Sequence, residues 1–181
     1  MGSRSSGLTE PGPSRRREAL RRLAALPFVL SACGRDAATP ALVAGATLPV
    51  LDLPDLHGRR VRLGGPGQPL VLNFWATWCP PCRAEMGGLD RLHRALGAAS
   101  LRVVGVSVDR DLNLVREYVL QEGLAFPILW DRAGEAVQAA LGVRAFPTTA
   151  LVRRDGLIAE VLLGERDWDA GPARERVQAL L

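Results

Sequence analysis

The stretch Leu70-Val71-Leu72-Asn73-Phe74-Trp75-Ala76-Thr77-Trp78-Cys79-Pro80-Pro81-Cys82 decides how this chain is read. Leu70 to Trp75 is a short apolar run that reads as a buried strand. Proline is favoured at the first position of a helix, where its missing N–H has no intrahelical partner to lose. Pro80 therefore marks a helix start, with Cys79 at the N-cap and Cys82 one turn inside. Residues three apart share a helix face, so the two sulfurs can bond. The positive end of the helix favours thiolate over thiol at Cys79. Cys79 is the expected attacking nucleophile, and Cys82, more buried, the expected resolving thiol.

Working outward from this stretch, the apolar pattern alternates between strands and helices. Met86, Leu89, Leu92 and Leu96 fall on one face of a helix predicted over 80–98. A strand is predicted over 101–108 and a second helix over 112–121, with Leu112, Val115 and Val119 inward. A short strand over 126–130 precedes a short helix over 135–141, closed by Gly142. Strands over 148–153 and 157–163 are joined by Asp155-Gly156, a two-residue hairpin signal. The last helix is predicted over 172–181. Ahead of Leu70, two extended segments, 50–53 and 59–63, flank a turn at 55–58. The fold class is α/β: a mixed central sheet flanked by helices, with an N-terminal β-hairpin extension.

A second element stands apart from this periodicity, Val143-Arg144-Ala145-Phe146-Pro147-Thr148-Thr149. Proline entering a strand is unusual. A cis Pro147 beside the cysteines would let the backbone of Phe146 and its neighbours pair with an extended substrate; a trans proline starting a strand is the plain alternative. The cysteine pair also has alternatives. It could be half of a zinc site completed by His57 and His93, or an inert disulfide. The two prolines between the cysteines remove two N–H groups that could stabilise the Cys79 thiolate, leaving that of Cys82. A strongly stabilised reduced form makes an oxidant, so this pair is expected to act as a reductant.

The chain has 181 residues, 48% of them hydrophobic and 23% charged, an ordinary globular composition for about one domain. Its net charge of +4 suggests an anionic partner, but the location of the charge argues otherwise. All 23 basic residues are arginine, and six of them lie before Cys33 against two acids, Glu10 and Glu18. From Cys33 onward, 17 arginines meet 17 acids, so no nucleic-acid partner is expected. Residues 15–33 run from an arginine cluster through the apolar 23–30 to Leu30-Ser31-Ala32-Cys33. Basic region, apolar region and small residues form an export signal, and the ending resembles a bacterial lipobox, which implies cleavage before Cys33 and lipid on its thiol. The expected organisation is a cleaved lipoprotein export signal over 1–32, a lipid-anchored tether over 33–44 and the folded domain over 45–181. Ser14-Arg15-Arg16 also hints at twin-arginine export.

The residues from Leu72 to Met86, with Gly105-Val106-Ser107-Val108-Asp109 and the loop Gly142 to Thr149, resemble the TlpA/ResA-type thioredoxin-like thiol-disulfide oxidoreductases over about 45–181. The resemblance implies a thioredoxin-like fold and a cis Pro147 that joins Cys79 and Cys82 in the catalytic site. It implies a membrane-tethered protein facing the periplasm or extracytoplasmic space. Such a protein exchanges disulfides with exported proteins in cytochrome c or copper-site maturation and is recharged by a membrane-embedded thiol relay. Trp78, Phe146 and Thr148 are the expected substrate-binding residues. No cofactor beyond the Cys79–Cys82 pair, no metal and a monomer are expected. Asn73 replaces the buried Asp of cytoplasmic thioredoxins, which removes the usual proton acceptor for Cys82; Glu85, one turn into the helix, is expected to be solvated. Gly87-Gly88 stands where relatives carry Pro after Glu-Met, and it loosens the helix. Two other functions fit the residues: a Cu(I)-binding metallochaperone using both thiolates, and a peroxiredoxin-like peroxidase, for which Thr77 is misplaced by two residues.

Overall fold

The computed structural model describes Met1, Gly2, residues 42–169 and residues 171–181. The export signal, Cys33 and most of the tether lie outside the described residues. Twelve elements follow in order. Strands β1 (Leu51–Pro54) and β2 (Arg60–Leu63) pair antiparallel as a separate hairpin. Then come β3 (Leu70–Trp75), α1 (Pro80–Ser100), β4 (Arg102–Ser107), α2 (Leu112–Glu122), β5 (Ile128–Trp130), a single 3-10 turn (Arg132–Gly134) and α3 (Glu135–Leu141). The chain ends with β6 (Thr148–Val152), β7 (Ile158–Leu163) and α4 (Gly171–Gln178).

The central sheet has the order β5-β4-β3-β6-β7. β3, β4 and β5 run parallel, while β6 and β7 are antiparallel to their neighbours, the mixed sheet expected from the sequence. All six residues of β3 are buried, because helices cover both faces of its parallel pairing with β4. Side chains alternate between two cores. Val71 and Trp75 of β3 pack with Met86, Leu89 and Leu92 of α1 on one face. Leu70, Leu72 and Phe74 pack with Val137 and Leu141 of α3 and the hairpin leucines on the other. By the same period of two, Asn73 points to the α1 face.

Details depart from the sequence reading where local chemistry differs. The β6–β7 turn is one residue longer than the expected two: Arg153 N–H bonds Leu157 O at 2.9 Å, and Gly156 sits in the left-handed region at φ 83°. A three-residue loop with glycine at that position is the next standard hairpin. Helix α1 runs to Ser100, but Gly97 breaks its helical geometry at φ 67°, ψ 149°. Of the α2 residues expected inward, only Val115 is fully buried. Ordered packing already begins at Leu42, whose N–H bonds Leu141 O at 2.7 Å. Thr47 bridges Leu157 at the start of β7, and Asp55 bridges Leu129 of β5. No helix among the described residues is long and apolar enough to cross a membrane.

Candidate active site

The site is built where β3 hands over to α1. Val108 N–H bonds Trp75 O at 3.0 Å and Cys79 N–H bonds Ala76 O at 3.2 Å, which fixes the turn between strand and helix. Cys79 is the N-cap of α1 with extended backbone, and prolines fill the first two helical positions. Cys79 and Cys82 are joined as a disulfide with Cα atoms 5.2 Å apart. The Cys82 N–H donates to Cys79 Sγ at 3.3 Å, the one amide that the prolines leave for it. Cys79 is 5% exposed and Cys82 fully enclosed, the ordering of accessibility expected for attacking and resolving thiols.

The Phe146–Pro147 peptide is cis. Phe146 reaches across to Trp78, the rings meeting edge-on at 6.1 Å. Trp78 is 64% exposed, so the indole beside Cys79 lies on the surface rather than in the core. The two rings border a groove of about 420 Å³ that also involves Val108, Asp109, Arg110 and Leu114. Thr148 is turned away: its side chain is buried, and its hydroxyl donates to Ala145 O at 2.7 Å. Its hydroxyl is thus spent within the loop that carries Pro147. Pro147 O accepts from Gly164 N–H at 2.8 Å, which ties the loop to the end of β7.

Beneath the cysteines lies a polar knot that the sequence reading missed. Glu85 is not solvated; it is 2% exposed. Its Oε1 accepts from Asn73 Nδ2 at 2.7 Å, and its Oε2 accepts from Arg166 N–H at 3.0 Å and Trp168 Nε1 at 3.2 Å. Asn73 Nδ2 also reaches Thr149 Oγ1 at 2.9 Å. Burial pushes the Glu85 carboxyl up to about 7, against the opposing pull of these three donors. A carboxyl held there exchanges its proton near neutral pH. It sits three residues on from Cys82, on the same helix face. The signals were present: Glu85 falls four and seven residues before Leu89 and Leu92 of the apolar stripe. Gly88 was another, since a Cβ there would stand 3.4 Å from Trp168 Cβ. The segment carrying Trp168 packs directly against this glycine.

The two histidines stand apart from the cysteines in this arrangement. His57 occupies the exposed turn of the hairpin, its N–H on Asp55 Oδ1 at 2.8 Å. His93, half-buried on α1, packs 6.5 Å from the Phe126 ring.

The Redoxin family model matches residues 43–181. The thiol-disulfide oxidoreductase ResA of Geobacillus thermodenitrificans (strain NG80-2) is 34% identical over 125 residues, 68% of this chain and 71% of that protein. Among solved structures, a proposed thiol:disulfide interchange protein DsbE from Chlorobium tepidum superposes with a TM-score of 0.68 at 25% identity, over 77% of this chain and 99% of that one. A secreted Mycobacterium tuberculosis disulfide oxidoreductase homologous to E. coli DsbE gives a TM-score of 0.56 at 25% identity, over 72% and 93%. With a cysteine pair at a helix N-terminus facing a cis-proline loop, and with these relatives, the chain belongs to the Redoxin family as a thioredoxin-fold thiol-disulfide oxidoreductase.

Proposed function

We propose that the protein is an extracytoplasmic reductase of disulfides in exported proteins, of the cytochrome c or copper-site maturation type, held at a membrane by lipid on Cys33. The observation that carries the reading is the asymmetry of the pair: Cys79 at the helix cap under one remaining amide, Cys82 enclosed behind it. In the reduced protein the Cys79 thiolate attacks a substrate disulfide, forms a mixed disulfide and expels one substrate thiolate. Cys82 then loses its proton to Glu85 and attacks Cys79 Sγ. The second substrate thiolate leaves and the Cys79–Cys82 disulfide closes. Two electrons pass from the pair to the substrate, and a membrane-embedded dithiol returns them. Trp78 and Phe146 flank the substrate chain, and the backbone beside Pro147 pairs with it.

The prolines support the direction of the reaction. With a single amide on the Cys79 sulfur, the thiolate is less stabilised than in a strong oxidant, so the reduced form gives up its electrons readily. The test is trapping. Cys82→Ala is expected to accumulate mixed disulfides through Cys79 in cells, identifiable by mass spectrometry; an empty trap in this variant and in its Cys79→Ala counterpart would refute the reading. A redox titration is expected to give a reducing potential, and one as high as that of strong periplasmic oxidants would reverse the direction. Labelled fatty acid is expected on the wild type and not on Cys33→Ser.

A further inference from the structure

We propose that Asp109 is a positioning residue that holds the nucleophile's turn against the substrate groove. The inference rests on the reading of Cys79 as the nucleophile and names what sets its place. Asp109 lies two residues past the end of β4 and is 1% exposed. Its carboxylate accepts from Thr77 N–H at 3.0 Å, from Thr77 Oγ1 at 2.6 Å and from Ser107 Oγ at 2.7 Å. None of the ion pairs among the described residues includes it. Burying a carboxylate on neutral donors alone is costly unless its hydrogen bonds are well made, and two of these three grip a single residue, Thr77.

Thr77 stands two residues before Cys79, with Trp78 between them. The Asp109 clamp fixes one side of Trp78, and the Cys79 N–H bond to Ala76 O fixes the other. The main chain on both sides of Trp78 is thus fixed. Asp109 is tied to the end of β5 as well, because Trp130 Nε1 donates to its main-chain oxygen at 2.8 Å. Asp109 and its neighbours Val108 and Arg110 border the same groove as Trp78 and Phe146. One buried side chain therefore sets the register between the docking groove and the sulfur that must attack within it. Small misplacements of reacting groups carry large kinetic losses.

The test compares two substrates of the reduced protein. Insulin must dock before its disulfide is attacked, whereas the small aromatic disulfide 5,5′-dithiobis(2-nitrobenzoate) reacts with any exposed thiolate. Asp109→Ala is expected to lose roughly tenfold in insulin reduction while its reaction with the small disulfide stays within about threefold. Asp109→Asn, which keeps an oxygen for Thr77, is expected to recover most of the insulin rate. Thr77→Val, which removes one donor only, is expected to lose about threefold, and the double variant to be no worse than Asp109→Ala. A folded Asp109→Ala with the wild-type insulin rate would overturn the proposal. So would equal losses on both substrates with no recovery in Asp109→Asn, the pattern of a general prop. If Asp109→Ala does not fold, Thr77→Val decides: an unchanged insulin rate overturns the proposal. Cys79→Ser separates this from the underlying reading, since insulin reduction surviving in that variant would refute the nucleophile itself and not the clamp.

Discussion

The two faces of the central sheet are packed alike and equipped differently. The face toward α3 and the hairpin is lined by leucine, valine and phenylalanine. The face toward α1, α2 and α4 also holds Cys79, Cys82 and Trp168 in its core, with Asn73 and Glu85 buried beside them. Both faces exclude water, yet the cysteine pair and the raised Glu85 carboxyl lie on one of them, while the buried polar groups of the other, Thr148 and Asp131, are spent on the Ala145 carbonyl and on N–H groups of α3. A small domain accommodates a costly site by this division. The buried Glu85 carboxyl, and an Asn73 amide whose Oδ1 has no partner, weaken one layer, and the leucine-rich layer on the back of the same strand compensates.

Substitutions on either side should therefore fail in different ways. The largest effect is on the chemical face, where Cys79→Ser is expected to abolish insulin reduction while leaving the melting temperature of the reduced protein nearly unchanged. Leu72→Ala, on the back of the same strand and fully buried, is expected to cost about 3 kcal/mol of stability in denaturant titration. Its redox potential should remain that of the wild type, and a shifted potential would break the division between the faces.

Glu85 tests the cost of the chemical face directly. Its carboxyl is raised from 4.5 to about 7 on folding, so the folded protein holds a proton that the unfolded chain has released. The resulting stability is complete below about pH 4.5 and is lost as the pH rises through 7, on the order of 3 kcal/mol in all. Melting curves from pH 5 to 8 should show this decline, and Glu85→Gln should flatten it. The smallest effect is that of Trp168→Phe, which deletes one donor to Glu85 and is expected to cost about 1 kcal/mol. That indole N–H favours the ionised carboxylate, so its loss should move the inflection of the Glu85 titration to higher pH.

The same asymmetry explains what the sequence could tell. Strand β3 and helix α3 fall where the apolar periodicity and Gly142 place them, because their neighbours reinforce a local pattern. The cysteine geometry was legible too, since Pro80 and a spacing of three fix it within one turn. Glu85 was misread because its burial depends on Arg166 and Trp168, about eighty residues away in the chain. Helical propensity treats a glutamate one turn into a helix as a surface residue. Only its place on the leucine stripe, and a glycine pair that made no sense for an isolated helix, pointed inward. The orientation of Thr148 was illegible for a related reason. Its neighbourhood to Pro147 is local, but the direction of its hydroxyl is set by the loop carbonyl at Ala145. The β6–β7 turn was misjudged by one residue because Asp155-Gly156 suits either loop length, and the left-handed Gly156 selects the longer one.

The segment ahead of the hairpin has a further meaning. A sheet of five strands has two free edges, and each is a template for another chain. Here residues 45–47 lie along the start of β7, and Asp55 at the hairpin's tip meets β5. A single short stretch of chain thus screens both rims of the sheet from opposite sides. Residues 45–55 therefore also blunt both edges of the sheet against self-association.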